Sequence, residues 1–198
     1  MIISKEQFSN HNMSKLIKGA VVPRPIAWVS SVSASGVRNL APFSFFTVAS
    51  MDPVTLCFSV GSVDREKDTL TNVKEKKQFV VNIVSESQAN QMHESSKAYT
   101  PEEDEFSIAG IKVDKGAFVD VPKVADAPVS MECELDRIIE LGSNSLILGK
   151  VVGYHIQDEV YMEKDKVDPY HLRPVGRMAG DYSYIREFYT LPNEDLSK

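Results

Sequence analysis

The sequence is sparing with the residues that mark a disulfide, a metal site or a nucleic-acid surface. Cysteine occurs twice, at Cys57 and Cys133. The two lie far apart, each in a strand-like run, which fits buried reduced thiols rather than a disulfide or a metal pair. The histidines, His11, His93, His155 and His171, share no metal-ligand spacing with one another or with cysteine. Positive charge is in deficit: 22 Lys and Arg stand against 28 Asp and Glu, for a net charge of -6. With no basic cluster, that balance argues against binding driven by nucleic-acid phosphates. No run is long and apolar enough to span a bilayer. The start, Met1-Ile2-Ile3-Ser4-Lys5-Glu6, meets an acid at once and is not a secretory signal. These absences set the expectation of a cytoplasmic protein with no membrane or nucleic-acid partner. Common catalytic fingerprints are also missing. There is no Gly-x-Gly-x-x-Gly turn, no Walker loop, no Gly-x-Ser-x-Gly elbow and no triad. The run Glu102-Glu103-Asp104-Glu105 reads as a solvated acidic loop.

What is present is an ordinary globular composition, 42% hydrophobic and 25% charged over 198 residues. One domain over 1–198 is expected, with its core at about 15–185 and a tail at 186–198. Strand patterns dominate. Ile26 to Val32 is rich in strand formers, and Ser33-Ala34-Ser35-Gly36 is a turn. The chain then returns as a hairpin partner through Val37 to Ser50. Val54 to Val60 alternates, with Leu56 and Phe58 on one face and Cys57 and Ser59 on the other. Phe79 to Val84, Val129 to Ile138 and Leu146 to Ile156 complete the set. Gly149 and Gly153, placed on one face of the last, allow close packing or a bend. Helices are few: residues 4–18 with Phe8, Met13, Leu16 and Ile17 on one face and Gly19 as the stop, 65–76 with Leu70 and Val73 inward, and 86–98. Strands arranged as hairpins with few helices predict a mainly β fold, an antiparallel barrel with peripheral helices.

The stretch from Arg38 to Ser50 is the most unusual. It is apolar, lacks a helical period and contains Pro42, which removes a backbone donor. It reads as a bent, extended segment at a sheet edge. Ser44 and Thr47 sit among Phe43, Phe45 and Phe46, a mixture suited to a flat heteroaromatic ligand. The competing reading is a strand entering the core. Ser62 to Leu70 follows a strand and opens a helix. Free helix-start amides together with Arg65, Lys67 and Thr69 make a phosphate cradle; the alternative is a capped, solvated helix. Asn82, in an apolar strand, bonds either a neighbouring loop or a ligand. Trp28 packs in the core or lies near a ligand ring. His171, Arg173, Arg177 and two glycines gather late in the chain.

Taken together, Pro23-Arg24-Pro25-Ile26-Ala27-Trp28-Val29-Ser30-Ser31, Gly36, Asn39 to Phe46, Asp52-Pro53, Lys67 to Asn72 and Phe79 to Asn82 resemble the flavin reductase-like family. The likeness runs from about residue 15 to 185. It implies an FMN-binding split β-barrel of antiparallel Greek-key type. Cofactor-binding positions follow from it: Trp28, Asn39, Ala41, Pro42, Ser44, Phe45, Phe46, Ser59, Arg65, Lys67, Thr69 and Asn82. Asn39 to Phe46 would wall the flavin ring, and Arg65, Lys67 and Thr69 would hold its phosphate. The family is usually a homodimer with FMN near the interface, so His171, Arg173 or Arg177 would serve the partner's flavin. Where the family tends to show Arg-x-Gly-Gly, this chain has Arg177-Met178-Ala179-Gly180. The function implied is transfer of hydride from NADH or NADPH to flavin, and of electrons to free flavin, oxygen or a protein. No acid/base residue is required. The alternatives are an FMN electron carrier of flavoredoxin type and a non-redox barrel for another small ligand. The aromatic segment and the cationic helix start are expected to open onto one continuous groove.

Overall fold

A computed structural model describes residues 1–61 and 65–190. Its frame is one antiparallel sheet of seven strands. In chain order these are β1 (Ala27–Val32), β2 (Arg38–Phe43), β3 (Phe46–Met51), β4 (Val54–Gly61), β5 (Gln78–Ile83) and two long strands that follow later. Short pairs come between and after: β6 (Val113–Asp114) with β7 (Lys123–Val124), then, beyond β8 (Val129–Leu141) and β9 (Asn144–Ile156), β10 (Tyr161–Met162) with β11 (Lys166–Val167) and β12 (Val175–Arg177) with β13 (Tyr182–Tyr184). The main sheet runs β2-β1-β5-β8-β9-β4-β3. Helices α1 (Met13–Ala20), α2 (Asp68–Lys76), α3 (Ala89–Glu94), α4 (Glu105–Ile108) and α5 (Pro169–Leu172) are short and peripheral.

The topology explains why Arg38 to Ser50 looked anomalous. It is not one strand. The hairpin with β1 ends at Phe43, and the chain bends through Ser44 and Phe45 to begin β3 at the opposite edge of the sheet. Consecutive strands can occupy both edges only if the sheet curls until those edges meet. The closure is visible: the Phe43 and Phe58 rings lie 5.1 Å apart, and Ser59 N donates to Phe45 O at 2.8 Å. The result is a split β-barrel. Pro42 suits the β2 edge. Leu40 N turns away from β1 to a side chain of α4, so by alternation Pro42 also has its backbone outward, where no ladder bond is lost.

Strand β1 is buried on both faces. Ala27 and Val29 enter the barrel core with Phe58, Phe79, Val81 and Ile147, closed by Leu70 and Val73 of α2. Ile26 and Trp28 enter an outer core with Leu40, Met92 of α3 and Phe106 of α4. Each buried large side chain contributes about 1.5–3 kcal/mol of transfer free energy.

Several expectations are corrected. Residues 4–18 form a 3-10 turn (Lys5–Asn10) and then α1, which runs through Gly19 to Ala20. Phe8, Leu16 and Ile17 face solvent rather than a core. The second helix starts at Asp68, not 65, and the third covers only Ala89–Glu94 after a 3-10 turn. Gly149 and Gly153 do not share a face, because Val152 is an extra residue in the β8–β9 pairing. A Cβ on Gly149 would meet Phe79 inside the barrel; one on Gly153 would meet Phe118 outside. Cys133 is buried and free, its thiol pushed up to about 12 by burial, whereas the free Cys57 is only half-buried.

Candidate functional site

The outward edge of β2 and the start of α2 face the same cavity, of about 340 Å³. Asn39, Ala41, Pro42 and Phe43 form one side, and Arg65, Lys67, Asp68 and Thr69 another. Ser95, Ser96, Lys97 and Tyr99, after α3, complete it with Glu105. So the aromatic segment and the cationic helix start do meet. Among the described residues no side chain caps α2: its N-cap residue is Lys67, in extended conformation. The first amides of a helix have no intrahelical partner and attract an anion. Ser62, Val63 and Asp64, the front of the expected cradle, lie outside the described residues.

A buried polar chain fixes the two sides to each other. The Thr69 hydroxyl donates to Asn39 Oδ1 at 2.7 Å, and Asn39 Nδ2 donates to Glu105 Oε1 at 2.8 Å. The second Glu105 oxygen accepts from Leu40 N at 3.0 Å. Glu105 is therefore not part of a solvated loop. It is buried on α4, and burial pushes its carboxyl above the usual range, against the pull of the Leu40 and Asn39 donors. Thr69 differs from expectation too: its hydroxyl proton is committed to Asn39. Arg65 pairs with Asp68 at 2.7 Å and donates to Tyr99 O at 3.0 Å. Lys67 makes no ion pair among the described residues.

A second, wider cavity of about 650 Å³ lies beyond Pro42 and Phe43, which line both. Ser44, Phe45, Ser59, Arg24 and Arg177 open onto it. A small cleft of Pro42, Ser44, Ser96 and Arg177 shares lining residues with both cavities, so the three lie side by side. Ser59 is held by Asn144 Nδ2 at 2.9 Å.

Four expected positions lie elsewhere. Trp28 has no exposure and donates from Nε1 to Ser95 Oγ at 2.9 Å, so it supports the wall without reaching it. Asn82 is equally buried: it donates to Trp28 O at 2.9 Å and accepts from Val124 N and Ser130 Oγ at 3.0 and 2.8 Å. Its amide ties β1, β5, β7 and β8 together. Phe46 packs against the barrel core. His171 pairs with Asp168 and lines a separate hollow with Glu86 and Arg173. Glu105, Arg24 and the Ser95–Tyr99 segment were missed. For Arg24 a signal existed, a charge held between two prolines inside an apolar run.

Comparison with known proteins agrees with this architecture. A model of the flavin reductase like domain matches residues 19–172. The chain belongs to the flavin reductase-like family. It is similar to nitrilotriacetate monooxygenase component B from Bacillus cereus, at 33% identity, TM-score 0.92, over 96% of this chain and 98% of that one. It is also similar to the 2-nitrobenzoate 2-nitroreductase NbaA of Pseudomonas fluorescens, at 32% identity, TM-score 0.88, over 99% and 98%. An uncharacterized protein of Aquifex aeolicus is 39% identical over 88% of this chain and 89% of its own length. No helix among the described residues is long and apolar enough to cross a membrane.

The residues of the first cavity fit a flavin mononucleotide. A dianionic phosphate needs amide donors and cations at one end, and the uncapped α2 start with Lys67 and Arg65 supplies them. A tricyclic ring needs an apolar wall, which Ala41, Pro42 and Phe43 supply.

Proposed function

We propose that this chain is an FMN-dependent oxidoreductase that takes hydride from NADH or NADPH and delivers electrons to a small-molecule or protein acceptor. The observation that carries the reading is the single cavity joining the β2 wall to the α2 start. The two solved structures at 33% and 32% identity are named for a monooxygenase component and a nitroreductase, which supports redox chemistry in this framework.

Bound FMN supplies the electron-accepting ring; the chain supplies position and surroundings. Lys67, Arg65 and the first amides of α2 would hold the phosphate. Asn39 and Glu105 keep Thr69 and the β2 edge at a fixed separation, and Pro42 and Phe43 would wall the ring. The adjoining cavity past Ser44 and Arg177 leaves room for a second reactant. No side chain needs to move a proton in this scheme.

Two measurements test it. Purified protein incubated with FMN and then desalted should keep about one flavin per chain and look yellow. Anaerobic mixing with NADH or NADPH should then bleach it. A protein left colourless after FMN loading sinks the reading. One that stays yellow without bleaching is an electron carrier instead.

We infer in addition that two chains associate with the cofactor near their interface. Leu16, Ile17 and Val21 on and just after α1 are solvent-exposed, and Ile17 lines the second cavity. Exposed apolar side chains so grouped mark an association surface. Sedimentation equilibrium returning the monomer mass would remove this part.

A further inference from the structure

Five of the seven arginines, Arg38, Arg65, Arg137, Arg173 and Arg186, pair with a carboxylate. The two that do not, among the described residues, are Arg24 and Arg177, and they stand side by side. They form an antiparallel bridge: Arg24 N donates to Arg177 O at 3.0 Å, and Arg177 N to Arg24 O at 2.8 Å. Like charges directly opposite on paired strands destabilise a sheet. This pair is locked by backbone bonds and cannot separate.

The Arg24 guanidinium is buried, and its partners are all uncharged. It donates to Lys18 O and Val21 O at the end of α1 at 2.8 and 3.0 Å, to Met178 O at 2.7 Å and to Ser44 Oγ at 3.3 Å. Burial, and then the neighbouring Arg177, lower its pKa, the sign of a cation without a counter-charge. Arg177 lies over the Tyr182 ring at 4.4 Å, which leaves its N–H edge free of any acceptor among the described residues. Both arginines line the second cavity, together with Lys18. Among the described residues that cavity is lined by no Asp or Glu, in a chain with six more acids than bases. Phe43, Phe45 and Ile17 give it apolar walls.

Three cations with no acid, one of them buried, make a fixed positive potential inside a low-dielectric recess. We propose that the second cavity binds a ring-bearing organic anion, its charged group at Arg177 above the fixed charge of Arg24 and its ring against Phe43 and Phe45. Anion binding here stands independently of the flavin. That the anion is the second reactant rests on the proposed function, because Pro42 and Phe43 are shared with the first cavity. Two sources carry this chemistry, an aryl carboxylate and the phosphate of a nicotinamide nucleotide.

The test compares benzoate with benzamide, the same ring without the charge, and with nicotinamide mononucleotide. Binding is followed by calorimetry on the full chain with and without FMN. Wild type should prefer benzoate or the mononucleotide over benzamide by about 10-fold, the low end for a charge-assisted contact. Arg177→Gln should erase that preference, and Arg177→Lys, which keeps the charge, should restore most of it. The probe whose affinity depends more on Arg177 identifies the source. Equal affinity of wild type for all three probes would overturn the proposal. So would an Arg177→Gln protein that keeps the preference but loses FMN, since Arg177 would then be a flavin ligand. Absence of FMN binding, by contrast, would sink only the flavin reading.

Discussion

Replacing Arg65 and Lys67 together with alanine is expected to weaken FMN binding about 100-fold. Hydrogen bonds to a charged group are stronger than neutral ones. Both side chains are solvent-exposed here, Arg65 about half so, so each contact is screened and contributes only about 10-fold, and two of them give that factor. The loss stays partial because the free amides at the start of α2 belong to the backbone and survive both substitutions. Arg65 must also give up part of its hold on Asp68 to reach a phosphate, which makes Lys67 the larger single contributor. Two controls isolate the cause. Riboflavin has the same ring and no phosphate, so its affinity should be nearly unchanged in the double variant. Wild-type affinity for FMN should fall with added salt, and the variant's should fall less, because exposed charges are screened. Titration of FMN fluorescence at two ionic strengths reads all of this. An unchanged dissociation constant would leave Arg65 and Lys67 as an ordinary solvated helix start.

The sequence carried the strands well, for a physical reason. Half-buried strands such as Val54 to Val60 alternate in two-residue steps, and Phe58 and Val60 are fully buried as that pattern demands. The hairpin turns carry glycine where a positive φ is needed, at Gly36 and Gly142. What was illegible depends on what covers a face from far along the chain. Asn82 and Trp28 are expected at the cofactor, yet both are buried and held by remote partners, Val124 and Ser95. Spacing within one strand cannot show that an amide is fully used elsewhere. Glu105 was misread for the same reason. Its neighbours Glu102 and Glu103 face solvent, and only the β2 edge, 65 residues earlier, makes burial of one acid favourable. The opposed faces of Gly149 and Gly153 depend on one extra residue, Val152, which periodic counting cannot detect.

Glu132→Ala should cost about 3–5 kcal/mol of folding stability, the range for stripping one partner from a buried charged cluster. Glu132 is a carboxylate within β8 that has no exposure. The 117–119 segment folds over it. Its Oε1 accepts from Ala117 N at 2.8 Å, and its Oε2 accepts from Phe118 N and Val119 N, both at 2.7 Å. His155 Nε2 pairs with Oε1 from β9. The turn closes at Gly116, where a Cβ would stand 2.5 Å from Val119 O and 2.9 Å from Glu132 Oε2. Alanine leaves three amides of a tight turn without an acceptor. Glutamine is not a rescue, because its NH2 would face one of those donors. The pH dependence follows from the same geometry. Burial pushes the Glu132 carboxyl up, but the amides of Ala117, Phe118 and Val119 together with His155 outweigh it, and the net shift is downward. A carboxyl lowered in the folded state stabilises the fold above its unfolded pKa and loses that contribution as pH falls through the folded one. The gap in urea midpoint between wild type and Glu132→Ala should therefore be full at neutral pH and narrow as pH drops below the ordinary carboxylate range. A gap that stays constant into acid would mean that the turn is held by shape alone, with no contribution from the carboxylate.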